Sequence, residues 1–308
     1  MTERAAPASS DVMDERRQLL NLTYRLLGSL ADAEDAVQET YARWYAMTPA
    51  EQDAITSPGA WLTTVASRVC LDLLGSARAR RERYVGAWLP EPLPEPAEWG
   101  GRRADPADRI TLDESVSMAF LVVLDAMTPA ERVAFVLHDV FGYPFGEVAA
   151  IVGRTAAACR QLAASARRRV GAARAAPAPA AQRGVVREFK RAWEAKDIEA
   201  LVGLLDPDAT VVADGGGLVS TVTRPIVGGD QVGRFALGMA ERLVGLDLLE
   251  RTVNGRPGLA AQRDGAVVAV FAFDVADGRV RHVWAVRNPE KLRPWIADRP
   301  DMRDRDGR

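Results

Sequence analysis

The sequence predicts a multidomain protein with two all-α domains, a helical bundle and a helix-turn-helix domain, followed by one α+β domain. Apolar residues recur at helical spacing from residue 12 to about 173, with an interruption at WLPEPLPEP, residues 88–96. Beyond a second linker, PAPAAQRG at residues 177–184, β-branched residues alternate with period two between Asn-Gly and Asp-Gly turns. Because proline fixes φ and lacks an amide hydrogen, we expect WLPEPLPEP to be a stiff, extended spacer between two domains.

Composition limits the classes of function. A chain of 308 residues with 48% hydrophobic content accommodates two or three folded domains. Cys70 and Cys159 are the only cysteines, which excludes a disulfide framework or a zinc knuckle and suits a reducing cytoplasm. No apolar run approaches about 18 residues, so we expect no membrane span. The sequence also predicts no metal site and no cofactor.

Charge is unevenly distributed, although the net charge is only −2. No acidic residue lies between Glu147 and Glu188, and eight arginines fall in that gap. An acidic group stands instead at the start of the second predicted helix: Asp32, Glu34, Asp35 and Glu39. In isolation, that group fits a solvated helix face.

Residues 144–170 have the layout of a helix-turn-helix. Phe145, Val148 and Val152 form one apolar helix face, Gly153 ends that helix, and Thr155 is placed to cap the next. In this motif the second helix enters the major groove, where arginine and glutamine reach base edges or phosphates. An ordinary helical hairpin with a solvated basic face has the same pattern, so both interpretations stay open at this point.

The α+β domain is predicted to begin with an amphipathic helix that carries Val186, Phe189 and Trp193. A second helix is expected around residues 231–244, and the strands LLERTV, GLAAQR, AVVAVFAFDV and RVRHVWAV should form a curved antiparallel sheet.

Residues 127–170, MTPAERVAFVLHDVFGYPFGEVAAIVGRTAAACRQLAASARRRV, resemble the C-terminal promoter-reading domain of bacterial sigma factors of the extracytoplasmic-function group. Met127 replaces the usual leucine of the Leu-Thr-Pro entry. Upstream, DAEDAVQETYARWY resembles the segment that grips RNA polymerase, and PGAWLTTVASRVCLDLLGSARARR resembles the segment that opens and reads the −10 element. The resemblance covers residues 11–174, with the three motifs in the family's order.

This resemblance implies three sets of site residues. Those expected at the −35 element are Arg154, Thr155, Ala157, Ala158, Arg160, Gln161, Ser165, Arg167 and Arg168. Those expected near the −10 element are Trp61, Arg68, Asp72, Arg78, Arg80 and Arg81, although the spacing of Trp61 fits a core position better than a DNA wedge. Those expected on core polymerase, at its β′ clamp helices and β subunit, are Asp32, Glu34, Asp35, Gln38, Glu39 and Trp44. Gly75 stands where many relatives have arginine, which predicts an early end to that helix.

Trp-Leu-Pro-Glu-Pro is characteristic of one subgroup of these sigma factors, the SigJ-like factors, which carry a C-terminal extension. Residues 184–295 resemble the SnoaL-like, NTF2-like fold, a cone-shaped α+β barrel open at one end. The subgroup implies that this domain modulates sigma activity through contacts with the sigma domains or the linker. The residues expected in this regulatory contact are Trp88, Leu89, Pro90, Asp214, Gly215, Gly216, Gly217, Asn288, Pro289, Lys291 and Leu292.

Some members of the SnoaL-like fold are enzymes, but Asp214, Asp274 and His282 cannot be assembled into a named site from sequence. His282 alternates with core residues and fits a satisfied strand histidine better than a base. We therefore predict no enzyme activity, while the cone leaves room for an unidentified small ligand.

The resulting hypothesis is a cytoplasmic sigma factor that binds core RNA polymerase and promoter DNA, with no membrane partner. Its predicted divisions are a disordered start (1–11), a sigma-2 domain (12–85), a Pro-rich linker (86–111), a sigma-4 domain (112–174), a linker (175–184), a SnoaL-like domain (185–296) and a tail (297–308). The alternative is a stand-alone helix-turn-helix regulator with a ligand-sensing or enzymatic C-terminal domain. It would not need the polymerase-binding motif at residues 32–44.

Overall fold

The computed structural model describes residues 9–81, 84, 86–95, 110–111, 114–172, 178–242 and 245–296. The chain divides into two compact units. Residues 1–84 and 109–175 form the first, here called the helical unit, and residues 85–108 and 176–308 form the second, called the C-terminal unit. The proline-rich segment therefore belongs with the C-terminal unit. The predicted tail at residues 297–308 lies outside the described residues.

The helical unit contains eight described α-helices. They are α1 (Ser9–Leu27), α2 (Leu30–Tyr45), α3 (Pro49–Asp53), α4 (Pro58–Arg81), α5 (Met118–Asp125), α6 (Pro129–Phe135), α7 (Phe145–Val152) and α8 (Ala156–Ala172). A 3₁₀ turn, Glu114–Val116, precedes α5, and a π-helical turn, Val136–Val140, follows α6. Thr48 with Glu51 and Thr128 with Glu131 form capping boxes that start α3 and α6.

Two boundary predictions are wrong. Helix α1 begins at Ser9, within the stretch expected to be disordered. Helix α4 continues through Gly75 to Arg81, so this glycine does not end the helix. A glycine inside a helix costs about 1 kcal/mol. Tertiary packing outweighs this cost, because Leu62, Ala66 and Cys70 bury one face of α4.

The helices expected in two separate all-α domains pack together in the helical unit. Arg132 on α6 is 3% exposed; its Nη1 donates to the carbonyl oxygen of Leu26 at 2.9 Å, and its Nη2 donates to Asp125 at 2.9 Å. The same guanidinium thus satisfies an orphan carbonyl at the end of α1 and holds α5 to α6. In addition, Tyr143 Oη donates to Thr63 Oγ1 on α4 at 3.1 Å.

The C-terminal unit is α+β, as predicted. Its helices are α9 (Pro179–Glu194), α10 (Ile198–Leu204) and α11 (Gly229–Arg242), and its strands are β1 (Leu205–Asp214), β2 (Ile226–Val227), β3 (Asp247–Val253), β4 (Arg256–Arg263), β5 (Ala266–Ala276) and β6 (Arg279–Val286). The first six residues of helix α9 overlap the linker expected at 175–184. Pro179 occupies its first turn, where a missing amide hydrogen costs nothing.

The strands form one sheet in the order β2-β1-β6-β5-β4-β3. The four strands predicted to form an antiparallel sheet do so as β3 to β6, whereas β1 runs parallel to β6. Hairpins connect β3 to β6 in sequence, so neighbouring strands among these four run in opposite directions. Helix α11 connects β2 to β3, and this longer connection allows β1 to pair in parallel with β6. The three predicted turns are confirmed, with Asn254, Asp264 and Asp277 at positive φ.

Candidate functional site

The helix-turn-helix forms as the sequence predicts. Gly153 ends α7 at φ 70°, a left-handed conformation that glycine adopts without steric cost. Thr155 Oγ1 then accepts a hydrogen bond from the amide of Ala158 at 3.1 Å and caps the start of α8. One face of α8 is buried and carries Cys159, Ala163 and Ala166. Burial also raises the pKa of the Cys159 thiol, so this cysteine stays a neutral core residue.

The −35 candidates lie on the outer side of this motif. Ala158 and Ser165 are half-buried, and the others are exposed: Arg154, Thr155, Ala157, Arg160, Gln161, Arg167 and Arg168. The positive charges of the arginines in this set are not equally available to a phosphate. Arg167 Nε lies 2.5 Å from Asp139 Oδ1, and this hydrogen bond raises the pKa of the guanidinium. Arg168 has no ion-pair partner among the described residues, so its charge remains open to a phosphate.

The −10 candidates have different surroundings. Trp61 is half-buried rather than part of the buried core, and it packs edge-on against Trp44 with ring centroids 5.2 Å apart. Arg68 is exposed, and its Nη2 donates to the carbonyl oxygen of Ala150 on α7 at 2.9 Å. Asp72 is exposed as well. Arg78, Arg80 and Arg81 lie on α4, but their side chains are outside the described residues.

The acidic group lies on α2. Asp35, Gln38 and Glu39 are exposed, whereas Asp32 and Glu34 are half-buried. Glu39 forms an exposed ion pair with Arg43 at 2.8 Å. Such a pair contributes little to stability in water, which leaves the carboxylates available to a basic partner.

Residues 88–95 of the segment WLPEPLPEP form no helix, and they are not a free spacer. Leu89, Pro92 and Leu93 are buried against the C-terminal part of the same unit. The amide of Leu89 donates to Asp214 Oδ2 at 2.9 Å, and the carbonyl oxygen of Leu89 accepts from Lys291 Nζ at 2.5 Å. The ammonium of Lys291 also donates to Asp214 Oδ2 at 2.7 Å and lies 4.1 Å from the ring centroid of Trp88.

A second attachment point involves residues that the sequence did not single out. Asn254 Oδ1 accepts from the amide of Leu93 at 3.0 Å, and the amide of Asn254 donates to the Leu93 carbonyl oxygen at 2.8 Å. Trp295, 0% exposed, donates from Nε1 to the Pro92 carbonyl oxygen at 2.8 Å. The Asn-Gly pair signals the hairpin, but it gives no sign that the asparagine side chain also binds a distant segment.

Gly215 and Gly216, which follow Asp214, are required by close approach. A Cβ on Gly215 would clash with the carbonyl oxygen of Val219, and a Cβ on Gly216 would lie 2.5 Å from Asn288 Nδ2. Gly216 also has φ 66°. Its amide donates to Asp214 Oδ1 at 3.0 Å, and Asp214 O accepts from the amide of Asn288 at 3.0 Å. The Asp-Gly-Gly-Gly turn and the Asn-Pro-Glu-Lys-Leu segment therefore meet at Asp214.

Asp214, Asp274 and His282 do not come together as a catalytic group. Asp214 binds the proline-rich segment, and His282 Nδ1 lies 2.6 Å from Thr210 Oγ1. Burial lowers the pKa of His282, partly opposed by Asp274, whose Oδ2 lies 4.0 Å from His282 Nε2. Neither His282 nor Asp274 lines the apolar cavity of this unit.

Within the described residues, no group of three or more His, Cys, Asp or Glu side chains could hold a metal ion. In the same parts of the chain, no helix has the length and apolarity needed to cross a membrane.

Comparison with known proteins matches two families. The family described as Sigma-70 region 2 matches residues 12–80, and the family described as Sigma-70, region 4 matches residues 117–170. The chain is 41% identical to the ECF RNA polymerase sigma factor SigJ of Mycobacterium tuberculosis over 293 residues, which cover 90% of each chain. It is 35% identical to the probable ECF RNA polymerase sigma factor SigI of the same species, with 95% of this chain and 97% of the relative covered. The crystal structure of Mycobacterium tuberculosis SigJ superposes with a TM-score of 0.75 at 38% identity, covering 92% of this chain and 98% of the other.

Proposed function

Since the chain belongs to the extracytoplasmic-function RNA polymerase sigma factors, we propose that its C-terminal unit modulates sigma activity by holding the proline-rich segment. The chain is a sigma factor that directs transcription initiation, and this family is not one of enzymes. The stand-alone regulator is not favoured. Action on core polymerase and promoter DNA would take place in the cytoplasm.

Core polymerase binding is assigned to the exposed acidic surface of α2. Asp35, Gln38 and Glu39 are exposed on this surface. Of their two carboxylates, Glu39 forms an exposed ion pair with Arg43. An acidic surface on a protein that approaches DNA needs another partner, because phosphates repel it. The basic clamp helices and the β subunit of core polymerase would supply that partner.

Promoter reading is assigned to α8 for the −35 element and to α4 for the −10 element. Arg160, Gln161 and Arg168 are exposed donors on α8 that suit base edges and phosphates. Arg68 on α4 is engaged with the Ala150 carbonyl oxygen on α7. Since the two promoter elements lie apart along the DNA, the two helices would have to separate, and Arg68 would exchange Ala150 for DNA.

The observation that carries the regulatory proposal is the binding of both backbone groups of Leu89. Asp214 accepts its amide hydrogen, and Lys291 donates to its carbonyl oxygen. The segment between the sigma domains is thereby held by the C-terminal unit. Retention of the proline-rich segment would limit how far α4 and α8 can move apart, and its release would allow the two helices to separate.

The sigma assignment of α2 is tested by in-vitro transcription with bacterial core polymerase on the DNA upstream of the gene. Asp35→Lys should lower both core binding and transcript yield, because it places a cation against the basic clamp. Asp208→Lys, an equal charge change at an exposed residue of the C-terminal unit, is the matched control. Transcripts unaffected by Asp35→Lys would remove α2 from the interface. Promoter binding without polymerase, together with no transcripts, would support the stand-alone regulator.

A further inference from the structure

The C-terminal unit contains a cavity, partly open to solvent, that the proposed sigma function does not use. It has a volume of about 190 Å³ and lies between helices α9 and α11 and strands β1, β5 and β6. Most of its lining is apolar, including Trp193, Phe235, Met239, Phe271 and Val283. It is separate from the contact with the proline-rich segment, because neither Asp214 nor Lys291 contributes to the lining.

The volume sets the size of a ligand. An apolar protein cavity of about 150 Å³ stays dry and binds benzene. The present cavity is moderately larger, so it accommodates one aromatic ring, or an aliphatic chain of similar volume, with one small substituent. The aromatic side chains of Trp193 and Phe271, whose ring centroids lie 5.2 Å apart, provide flat apolar surface.

One charged group lies in the described lining, the guanidinium of Arg287. Its Nη1 donates to the carbonyl oxygen of Ser220 at 2.8 Å, which uses one of the five donors that a guanidinium carries. Among the described residues, the lining contains no carboxylate. Burial lowers the pKa of Arg287, and the nearby charge of Arg263 lowers it further. A half-buried cation beside a second cation, with no anion among the described lining residues, is stabilised by an anionic ligand.

We propose that this cavity binds a small apolar carboxylate, such as a single-ring aromatic acid, with the ring in the apolar interior and the carboxylate on Arg287. Arginine presents a planar pair of donors that matches a carboxylate. The hydroxyls of Thr221 and Ser220, in the segment beside Arg287, provide further donors for the oxygens. A neutral ligand of the same shape would leave Arg287 without its counterion.

The probe for this proposal is para-fluorobenzoate, with para-fluorobenzamide as the neutral isostere, both added to the full chain and followed by fluorine NMR. The acid should bind and the amide should bind at least about tenfold more weakly, as expected for the loss of a hydrogen-bonded charge. Arg287→Met should remove the preference for the acid. Arg234→Met, which loses an exposed arginine on α11 outside the cavity, should retain it.

A second variant tests the location independently of charge. Ala285→Leu fills the cavity from β6 and should abolish binding of both probes. The proposal is overturned if neither probe binds at millimolar concentration, if acid and amide bind equally, or if Ala285→Leu folds and still binds the acid. None of these measurements involves polymerase, so the ligand site and the proposed sigma regulation fail separately.

The site also lies next to the residues that hold the proline-rich segment. The amide of Arg287 donates to Asp214 O at 2.7 Å, and Ala213, which precedes Asp214, lines the cavity. If the proposed regulatory function holds, a bound carboxylate should therefore change the rate of hydrogen exchange at the Leu89 amide. Arg287→Met should eliminate that change. Unchanged exchange at saturating para-fluorobenzoate would refute this coupling.

Discussion

Lys291 and Asp214 form a buried ion pair that encloses the backbone of Leu89. The carboxylate of Asp214 is 0% exposed, its Oδ2 lies 2.7 Å from Lys291 Nζ, and each partner binds one backbone group of Leu89. Buried charges are stable only when they are paired and hydrogen-bonded. The proline-rich segment therefore completes the surroundings of this pair, and its removal would leave both groups with fewer partners.

Lys291→Met should release the proline-rich segment. Removing one partner of a buried pair costs about 3–5 kcal/mol, because the other charge is left buried. We expect faster hydrogen exchange at Leu89 and Leu93, and a changed transcript yield with core polymerase. Lys190→Met is the control, since it breaks an exposed lysine–glutamate pair on α9 in the same unit. Equal effects of the two variants would show that the pair with Asp214 has no special role.

Gly216→Ala should destabilise the C-terminal unit through both its backbone and its contacts. A left-handed conformation costs about 1–2 kcal/mol for a residue with a Cβ. The added methyl would also displace the side chain of Asn288. Gly278→Ala isolates the first cost, because Gly278 has φ 75° and open space around it. Urea unfolding should therefore show a greater loss of unfolding free energy for Gly216→Ala, and a loss equal to that of Gly278→Ala would contradict the required close approach.

Arg168→Ala should weaken promoter binding by the holoenzyme similarly across sequences. Loss of one phosphate contact should reduce the slope of log affinity against log salt by about one. Arg167→Ala should change that slope less, since Asp139 already neutralises this arginine. Titration of labelled promoter DNA at several salt concentrations measures both. A smaller effect of Arg168 than of Arg167 would mean that the ion pair with Asp139 opens on DNA.

His282 should make the C-terminal unit less stable in mild acid. Burial lowers the pKa of its imidazole in the folded state, and Arg281 adds to this effect against the opposing charge of Asp274. The unfolded chain therefore binds more protons below about pH 6.5, and stability falls as pH decreases through the lowered pKa. His282→Gln should flatten this dependence in urea unfolding followed by tryptophan fluorescence. His138→Gln, on the helical unit, controls for the loss of a histidine elsewhere, and an unchanged slope in His282→Gln would contradict the assignment.

Local structure was largely predictable from the sequence. Thr155 and Gly153 mark the turn of the helix-turn-helix because capping and left-handed conformations depend on residue type. The Asn-Gly and Asp-Gly turns follow from the same local preferences. The boundary at Gly75 was predicted wrongly, because packing along α4 outweighs the low helix propensity of one glycine.

By itself, the sequence determined the helical and α+β parts of the chain and the sigma motifs. The tertiary structure decided what the proline-rich segment touches. Proline specifies backbone dihedrals, but the hydrogen-bond partners of Leu89 lie 125 and 202 residues away along the chain. The parallel pairing of β1 with β6 and the roles of Asn254 and Trp295 were likewise decided by contacts between distant segments. Local propensities carry no information on such contacts, since these depend on which surfaces remain to be buried once each element has formed.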